Sequence, residues 1–221
     1  MAKGRRDKWV SFDCYGTLVD WLGGFTAILE PIAGERTSSL LDAYHRFEPQ
    51  VEVGSYRPYR DVLANTLLRA AREIGISMTD EQARCLPQQW GRLPIMGDVE
   101  EALSAMRTDG FKLAVLTNCD EDLFDQTRRL FCQPFDLVIT AERVRSYKPA
   151  PAHFRCFQRT TRVATDEWFH VANSWFHDIA PACELGINCI WLDREGKGTD
   201  GAGAISRVTS AAELASTLRR L

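Results

Sequence analysis

The stretch 9-WVSFDCYGTLVD-20 places an acid, Asp13, directly after a short apolar run. The run Trp9–Phe12 shows no strict alternation of polar and apolar residues, which predicts a strand covered on both faces of a parallel sheet. Ligands of such sheets bind beyond the carboxyl ends of the strands. An acid in this place can serve as a turn residue or helix cap, but it is also placed to act as a nucleophile.

Other parts of the chain also contain short apolar runs that predict strands. Four further apolar runs predict strands: Lys112–Thr117, Phe135–Thr140, Trp168–Ala172 and Asn188–Leu192. Helical patterns separate these runs from Val99 onward, and Ser210–Leu221 predicts a closing helix. This alternation predicts an α/β fold with a doubly wound parallel sheet.

The segment of residues 21–94 shows helical patterns and no strand pattern. Proline removes a backbone donor and clashes with the preceding turn, so we expect the helices to break at prolines. The expected breaks are Pro31, Pro49, Pro58 and Pro87. Because this segment directly follows the first strand, the sequence predicts a helical cap (residues 21–94) on an α/β core (residues 1–20 and 95–221).

The bulk composition argues against several classes of partner. The 221 residues carry a net charge of −3 and are 26% charged, which gives no electrostatic reason to bind nucleic acid or an anionic membrane. No apolar stretch is long enough to span a bilayer. We expect the basic start, residues 1–10, to be a solvated tail and the glycine-rich residues 194–204 to form a mobile loop.

The seven cysteines are odd in number and include no Cys-x-x-Cys pair. This argues against a disulfide framework and a structural zinc site, and it favours a reducing cytoplasm.

We expect a small anionic molecule as the partner of this protein, in the role of substrate. Formation of a homodimer stays open.

Polar groups follow each of the first four predicted strands. Asp13 follows the first, Thr117 and Asn118 end the second, Lys148 lies beyond the third, and Asn173–Asp178 follows the fourth. Each signal is weak alone, because an acid, a threonine or an exposed lysine is common in a loop. Since parallel strands end at one shared edge, the sequence predicts that these groups form one site.

Four motifs, "FDCYGTLVD", "VLTN", "YKP" and "VANSWFHDIAPACELG", occur in this order between Trp9 and Arg194. In these motifs the chain resembles the haloacid dehalogenase superfamily of hydrolases. The resemblance implies a doubly wound core with a helical cap inserted after the first motif. The resemblance implies that Asp13 is the nucleophile and that Thr17 orients it. It implies that Thr117 and Asn118 contact the substrate. Lys148 would hold the carboxylates, and Asp178 would close the site.

These roles are chemically consistent. A cationic Lys148 would keep Asp13 and Asp178 ionised side by side against their mutual repulsion. Asp13 would form an ester, which water attacks with the help of a base and an oxyanion pocket. Asp178 is the candidate base. The backbone amides of Cys14 and Tyr15, with the Thr117 hydroxyl, are candidate anion donors.

Two positions favour a dehalogenase over a magnesium-dependent phosphatase. Phosphatases of this superfamily usually carry an aspartate two residues after the nucleophile, whereas this chain has Tyr15, whose phenol has a pKa of about 10 and is a poor acid at neutral pH. A departing halide needs no proton, and the form "DxYGTL" resembles the type II 2-haloacid dehalogenases. Asn173 also replaces a metal-binding aspartate. No cofactor is therefore expected, with magnesium at Asp13 and Asp178 only under the phosphatase alternative.

Known members of the dehalogenase branch use a cap arginine beside the halide. The sequence does not fix its counterpart here: the candidates are Arg46, Arg57 and Arg60, with Tyr56 and Tyr59 as ring contacts. The alternative for each arginine is a place on a solvated helix face, and the alternative for each tyrosine is a packing contact in the core of the cap. The expected substrate-binding set is Cys14, Tyr15, Arg57, Tyr59, Thr117, Asn118, Asn173 and Ser174.

Three rival interpretations remain open. "SWFHD" could hold a Ser174–His177–Asp178 triad, although neighbours on a helix point about 100° apart. A cysteine hydrolase based on Cys14 or Cys119 lacks an identified histidine base. A binding protein could present exposed tryptophans, for which the candidates are Trp9, Trp90 and Trp191.

Overall fold

The computed structural model describes residues 7–196, 198 and 203–221. The first six residues of the expected basic tail lie outside this part of the chain, and so does much of the expected loop at residues 194–204. The fold is therefore described from Asp7 onward.

A parallel sheet forms the centre of the molecule. In the described residues its six strands are β1 (Trp9–Phe12), β2 (Lys112–Thr117), β3 (Leu137–Thr140), β4 (Trp168–Ala172), β5 (Asn188–Leu192) and β6 (Ser206–Val208). Their order is β3-β2-β1-β4-β5-β6, and every neighbouring pair is parallel. The order reverses between β1 and β4, which makes the end of β1 the expected ligand site of a doubly wound sheet. The fold class predicted from the sequence is confirmed.

Both faces of the sheet are covered. Val10 and Phe12 of β1 pack into one hydrophobic cluster, while Trp9 packs into a second cluster on the opposite face. Successive side chains of a strand point to opposite faces, so β1 contributes to both layers. This explains why the run at Trp9–Phe12 shows no alternation.

The helices surround the sheet and fill the insertion. They are α1 (Trp21–Ala33), α2 (Thr37–Glu52), α3 (Tyr59–Glu73), α4 (Asp80–Ala83), α5 (Cys85–Gln88), α6 (Val99–Thr108), α7 (Glu121–Arg128), α8 (Ala141–Val144), α9 (Ala152–Thr161), α10 (Ala180–Glu184) and α11 (Leu214–Leu218). A π-helical turn, Trp175–Ile179, precedes α10. Short 3₁₀ turns cover Gly34–Arg36, Trp90–Arg92, Thr165–Glu167 and Ala211–Glu213.

The helical insertion, α1 to α5, is joined to the sheet by two adjacent segments. Asp20 N donates to Pro94 O at 2.8 Å and Met96 N donates to Leu18 O at 3.0 Å. Val19 and Ile95 form an antiparallel bridge between these bonds. We propose this paired neck as the boundary between a core of residues 1–20 and 95–221 and a cap of residues 21–94.

The proline breaks predicted in the insertion are mostly wrong. Pro31 lies inside α1, Pro49 inside α2 and Pro87 inside α5; Pro58 caps the start of α3. Pro31 and Pro49 fall in the last turns, and the carbonyls that they leave unpaired belong to the exposed residues 27 and 45, where water can reach them.

Element ends also differ from the sequence prediction. The third strand begins at Leu137 rather than Phe135, and the closing helix splits into a 3₁₀ turn and α11. The sequence analysis missed β6, whose three residues are too short to show a pattern.

No helix in the described part of the chain is long and apolar enough to cross a membrane. Trp9, Trp90 and Trp191 are buried, with exposed fractions of 8%, 1% and 9%. The binding surface of exposed tryptophans considered above is therefore wrong.

Candidate active site

Asp13 lies where β1 leaves the sheet, beside β4. Its amide donates to Val171 O at 3.0 Å, and Thr17 Oγ1 donates to Asp13 Oδ2 at 2.9 Å. Thr17 Oγ1 also accepts from Asn173 N at 3.0 Å. The loop turns tightly at Gly16, which has a φ of +92°, and an added Cβ there would lie 3.2 Å from Trp21 Nε1. The sequence "DCYGT" therefore folds so that Thr17 comes back to orient Asp13.

Lys148 joins the two carboxylates of the site. Its Nζ donates to Asp13 Oδ1 at 2.8 Å, to Asp178 Oδ1 at 2.6 Å and to Leu116 O at 2.8 Å. The ammonium group is 1% exposed and all three of its hydrogens have acceptors. Such a cation compensates two buried negative charges that would otherwise repel each other.

The two acids differ in their electrostatic setting. Burial raises the pKa of Asp13, and Lys148 offsets only part of that effect. Burial would also raise the pKa of Asp178, but Lys148 and a hydrogen bond from His170 outweigh it and lower the pKa below its usual value. Asp178 is therefore the firmly ionised acid, while Asp13 is a desolvated carboxylate. The pKa of Lys148 is raised: burial lowers it, but Asp13 and Asp178 together have the larger effect.

Asp178 reaches the site from the π-helical turn that follows β4. Ser174 begins this turn and accepts from His177 N at 3.2 Å. A π-turn carries one more residue than an α-turn and is common at functional sites. Here the wider turn brings both His177 and Asp178 to the lining of one cavity.

The hydroxyl of Tyr15 is held away from Asp13. It accepts from Trp90 Nε1 at 2.7 Å and bonds to Thr127 Oγ1 at 2.9 Å. Burial raises the pKa of the Tyr15 phenol well above its usual value of 10.0. Tyr15 can therefore shape the cavity but cannot protonate a leaving group at neutral pH.

Three amide or guanidinium groups brace the loops that carry Asp13 and Lys148. Asn118 Oδ1 accepts from Lys148 N at 2.8 Å and its Nδ2 donates to Lys148 O at 3.1 Å, so this side chain fixes the lysine segment. Asn173 Oδ1 accepts from Arg194 N at 3.3 Å. The Arg194 guanidinium donates to Thr17 O at 2.8 and 3.0 Å and pairs with Asp98 at 3.0 Å.

A cavity of about 320 Å³ opens beside Asp13 between two walls. The sheet wall consists of Asp13, Tyr15, Gly16, Thr117, Asn118, Lys148, Asn173, Ser174, His177, Asp178 and Glu195. The helical wall consists of Trp21, Phe25, His45, Glu48, Glu52, Tyr59 and Trp90.

The helical wall is acidic. Glu48 Oε1 accepts from Tyr44 Oη at 2.8 Å and from Tyr59 Oη at 2.7 Å. Glu52 lies one turn further along α2, and burial together with the neighbouring Glu48 raises its pKa to about 9, with Lys148 acting in the opposite direction. The sequence analysis missed both acids, although their spacing of four residues places them on one face of a helix.

The sequence candidates divide between the cavity and other places. The side chains of Asp13, Tyr15, Tyr59, Thr117, Asn118, Lys148, Asn173, Ser174 and Asp178 line the cavity, while the buried Thr17 lies directly behind Asp13. The structure does not bring Arg57 to it: this residue is exposed, and its carbonyl accepts from Tyr147 Oη at 2.8 Å. Arg46 pairs with Glu73 and Arg60 with Asp122, both away from the lining.

Thiol chemistry and the serine triad find little support in the geometry. Burial raises the pKa of Cys14 well above its usual value and that of Cys119 to about 12, so neither is a ready thiolate. Ser174 Oγ lies 3.1 Å from His177 Nδ1, but Asp178 bonds to His170 and Lys148 instead. The serine and histidine pair thus lacks an acid partner in the described residues.

Two further residues that support the walls, Asp120 and Arg194, were missed from the sequence. Asp120 accepts from the amides of Tyr59 and Arg60, at 2.7 and 3.0 Å, and so caps the start of α3. Asp120 makes no side-chain bond at the start of α7, the helix that directly follows it. Arg194 follows β5, and its place after a strand end was a signal that could have been used.

Comparison with known proteins agrees with this geometry. The family model described as "haloacid dehalogenase-like hydrolase" matches residues 8–163. The chain is 25% identical over 201 residues to haloacetate dehalogenase H-2 of Moraxella sp. (strain B), covering 88% of this chain and 89% of that protein. It is 25% identical over 207 residues to (S)-2-haloacid dehalogenase H-109 of Pseudomonas putida, with coverage of 88% and 89%.

A solved structure shows the same fold. The L-2-haloacid dehalogenase of Xanthobacter autotrophicus superposes with a TM-score of 0.86 at 19% identity and covers 96% of this chain and 98% of that one. Because the family model spans well over half of the sequence and includes Asp13 and Lys148, the chain belongs to the haloacid dehalogenase-like hydrolases.

Proposed function

We propose that this protein hydrolyses small 2-haloalkanoic acids to 2-hydroxy acids through an ester of Asp13. The observation that carries the proposal is the pairing of an oriented, desolvated Asp13 with a Tyr15 whose hydroxyl is bonded elsewhere. This arrangement supplies a nucleophile without an acid for the leaving group, which suits a halide. The curated relatives named above, a haloacetate and a 2-haloacid dehalogenase, support the same substrate class.

The first step is displacement at C2 of the acid. An oxygen of Asp13 forms a bond to C2 as the carbon–halogen bond breaks, and the halide leaves with its electron pair. Thr17 and Lys148 hold the carboxylate in one orientation, which reduces the entropic cost of the attack. Because the attack comes opposite the leaving group, the configuration at C2 inverts.

The second step is hydrolysis of the ester. Water loses a proton to Asp178 and attacks the carbonyl carbon of Asp13. The tetrahedral intermediate then expels the 2-hydroxy acid, whose alkoxide oxygen takes that proton back from Asp178, and Asp13 becomes a carboxylate again by releasing a proton to solvent. Lys148 and Thr17 already donate to the two Asp13 oxygens, so they are placed to stabilise the oxyanion. We assign the substrate carboxylate to the backbone amides of Cys14 and Tyr15 with the Thr117 hydroxyl.

Magnesium-dependent phosphoryl transfer is the alternative. Asp13 and Asp178 would hold the metal, but Lys148 already donates to one oxygen of each, and Asn173 offers only an amide oxygen that accepts from Arg194. In residues 7–196, 198 and 203–221, no group of three His, Cys, Asp or Glu is arranged to hold a metal ion. This donor set fits magnesium poorly, so no step is assigned to it.

A parallel screen tests the proposal. Halide release from 2-haloacids and phosphate release from small monoesters are measured with and without magnesium, with Asp13→Asn as the inactive control. We expect halide release that is insensitive to EDTA. Phosphate release that EDTA abolishes and magnesium restores would replace the proposal with the phosphatase.

Labelled water tests the ester. In a single turnover in oxygen-18 water, the first hydroxy acid should carry unlabelled Asp13 oxygen, and the label should stay in the Asp13 peptide. Heavy oxygen in the first product, with none in the protein, would mean that water attacks C2 directly.

A further inference from the structure

A row of buried polar side chains lies behind Asp178, outside the cavity. Ser11 of β1 and His170 of β4 are register partners, and both are fully buried. Trp168 of β4 and Phe154 of α9 pack around them; the Phe154 and His170 rings meet edge to face at 5.1 Å. Polar groups in such an apolar layer are costly unless each finds a partner.

The hydrogen bonds in this row run in one direction. The indole Nε1 of Trp168 can only donate, and Ser11 Oγ accepts from it at 2.7 Å. Ser11 Oγ lies 2.9 Å from His170 Nδ1, and this is the acceptor for the Ser11 hydroxyl hydrogen within the described residues. His170 Nδ1 therefore carries no hydrogen, so Nε2 carries it and donates to Asp178 Oδ1 at 3.1 Å.

The end of the row acts on a single oxygen of Asp178. Oδ1 accepts from both Lys148 Nζ and His170 Nε2, at 2.6 and 3.1 Å. In the described chain no hydrogen bond reaches Oδ2. A carboxylate held by two donors on one oxygen cannot rotate freely, and Oδ2 is the oxygen left to take a proton.

We propose that Trp168, Ser11 and His170 form a positioning relay that fixes His170 as the neutral Nε2–H tautomer and holds Asp178 with Oδ2 ready to act as the base. The task assigned to Asp178 rests on the proposed function, whereas the tautomer and the ionisation of Asp178 do not. None of the three relay residues touches the substrate cavity.

Other charged and titratable groups surround the relay. Lys148 faces Asp178 from the loop before α9, and Asp13 faces it across Lys148 from the end of β1. His177 lies on the same π-helical turn as Asp178. His153 of α9 is the second fully buried histidine near Lys148, and burial followed by Lys148 lowers its pKa to about 3. These groups stay unchanged in the variants proposed below, His153 in its own control excepted.

Nitrogen-15 NMR of the histidine-labelled wild-type protein tests the direction of the row. We expect His170 to show a protonated Nε2 coupled to Asp178 and an unprotonated Nδ1 between pH 6 and 8. A doubly protonated ring, or a proton on Nδ1, would overturn the relay. This measurement needs no substrate.

Variants test whether the row acts on Asp178 or only fills space. His170→Phe keeps the ring but removes the donor, and it should raise the pKa of Asp178 by about 1, measured by carbon-13 NMR of the carboxyl group. His170→Gln keeps an amide donor near the position of Nε2 and should leave that pKa near the wild-type value. If His170→Phe does not fold, His170→Asn replaces it, because its shorter amide reaches Ser11 but not Asp178.

The matched control is His153→Gln. His153 is equally buried, but its Nε2 bonds to Thr117 O at 3.1 Å rather than to Asp178, so its loss should cost stability without moving the Asp178 titration. The acid limb of the kcat profile for halide release should move with the Asp178 titration in His170→Phe. An unmoved titration in a folded His170→Phe protein would overturn the relay, whereas absent halide release with a moved titration would overturn only the proposed function.

Discussion

The two walls of the cavity are built by different rules. The groups of the sheet wall lie in the segments that follow the strands, and all three ammonium hydrogens of Lys148 are donated to protein acceptors there. The helical wall comes from the faces of α1, α2 and α3 and from the 3₁₀ turn at Trp90, and it contributes aromatic rings with the acids Glu48 and Glu52. In the described lining Lys148 is the one lysine or arginine. The sheet wall is therefore equipped for the reaction, and the helical wall for selecting what enters.

The two walls also differ in how firmly the fold positions them. Strand register positions the start of the sheet wall, since Asp13 N donates directly to Val171 O of the neighbouring strand at 3.0 Å. The helical wall depends on how α2 and α3 pack and on links such as the cap of α3 by Asp120 and the hydrogen bond from Trp90 to Tyr15. Changes in the sheet wall should abolish turnover, whereas changes in the helical wall should alter stability and substrate preference.

Replacing Lys148 by Met should have the largest effect, a loss of kcat of about 1,000-fold. Without the cation, the buried Asp13 and Asp178 would share a proton, and a protonated Asp13 cannot attack. Pre-steady-state halide release measures the loss, and circular dichroism checks the fold. The control is Lys112→Met, because Lys112 is an exposed lysine paired with Asp7. Near-normal turnover in a folded Lys148→Met protein would contradict the role assigned to Lys148.

The sequence was sufficient to predict the fold and the placement of the sheet wall. Four of the five predicted strands begin and end at the observed residues, and residues after parallel strands must converge on one edge. The convergence of Asp13, Lys148 and the segment 173–178 was therefore predictable from strand order, whereas the choice of Asp178 within that segment came from the family resemblance. The pairing of His170 with Ser11 was not, because it depends on β1 lying beside β4.

The helical wall was largely beyond prediction. The rotation of α2 about its axis decides that Glu48 and Glu52, rather than Arg46, face the cavity. Helix rotation depends on packing against other elements, which a single sequence does not reveal. Arg57 was a reasonable candidate by charge, but the chain around Pro58 leaves it exposed.

The second-largest effect should come from Asp120→Ala, which removes one of the links between the walls. Asp120 is buried and accepts from two amides at the start of α3, so its loss should destabilise the protein by about 2–3 kcal/mol. Urea unfolding measures this. Asp122→Ala is the matched control: its exposed pair with Arg60 should contribute less than about 1 kcal/mol. Equal losses in the two variants would contradict the capping role.

A pH-dependent gain in stability is expected for Glu52→Gln. The pKa of Glu52 is about 9 in the folded chain against 4.5 for the ordinary group, so unfolding releases a proton between these values and stability falls as the pH rises. Removing the carboxyl should stabilise the protein by roughly 2 kcal/mol at pH 8 and leave it unchanged at pH 4. Thermal unfolding at both pH values measures the gain, with exposed Glu30→Gln as the control. A gain of the same size at pH 4 would point to packing instead of charge.

The smallest effect concerns how the helical wall selects the substrate. Glu48→Gln keeps an oxygen that can accept from Tyr44 and Tyr59 but removes a negative charge from the cavity. A 2-haloacid is an anion, so its KM should fall about five-fold, the equivalent of about 1 kcal/mol of reduced repulsion. The value of kcat should stay within about two-fold, because Glu48 bonds to no group of the sheet wall. Steady-state halide release from 2-chloropropionate measures both constants, and a neutral 2-haloamide, if turned over, should show no change in KM. A higher KM for the anion would mean that Glu48 holds the substrate rather than repels it, and the helical wall would then belong to binding.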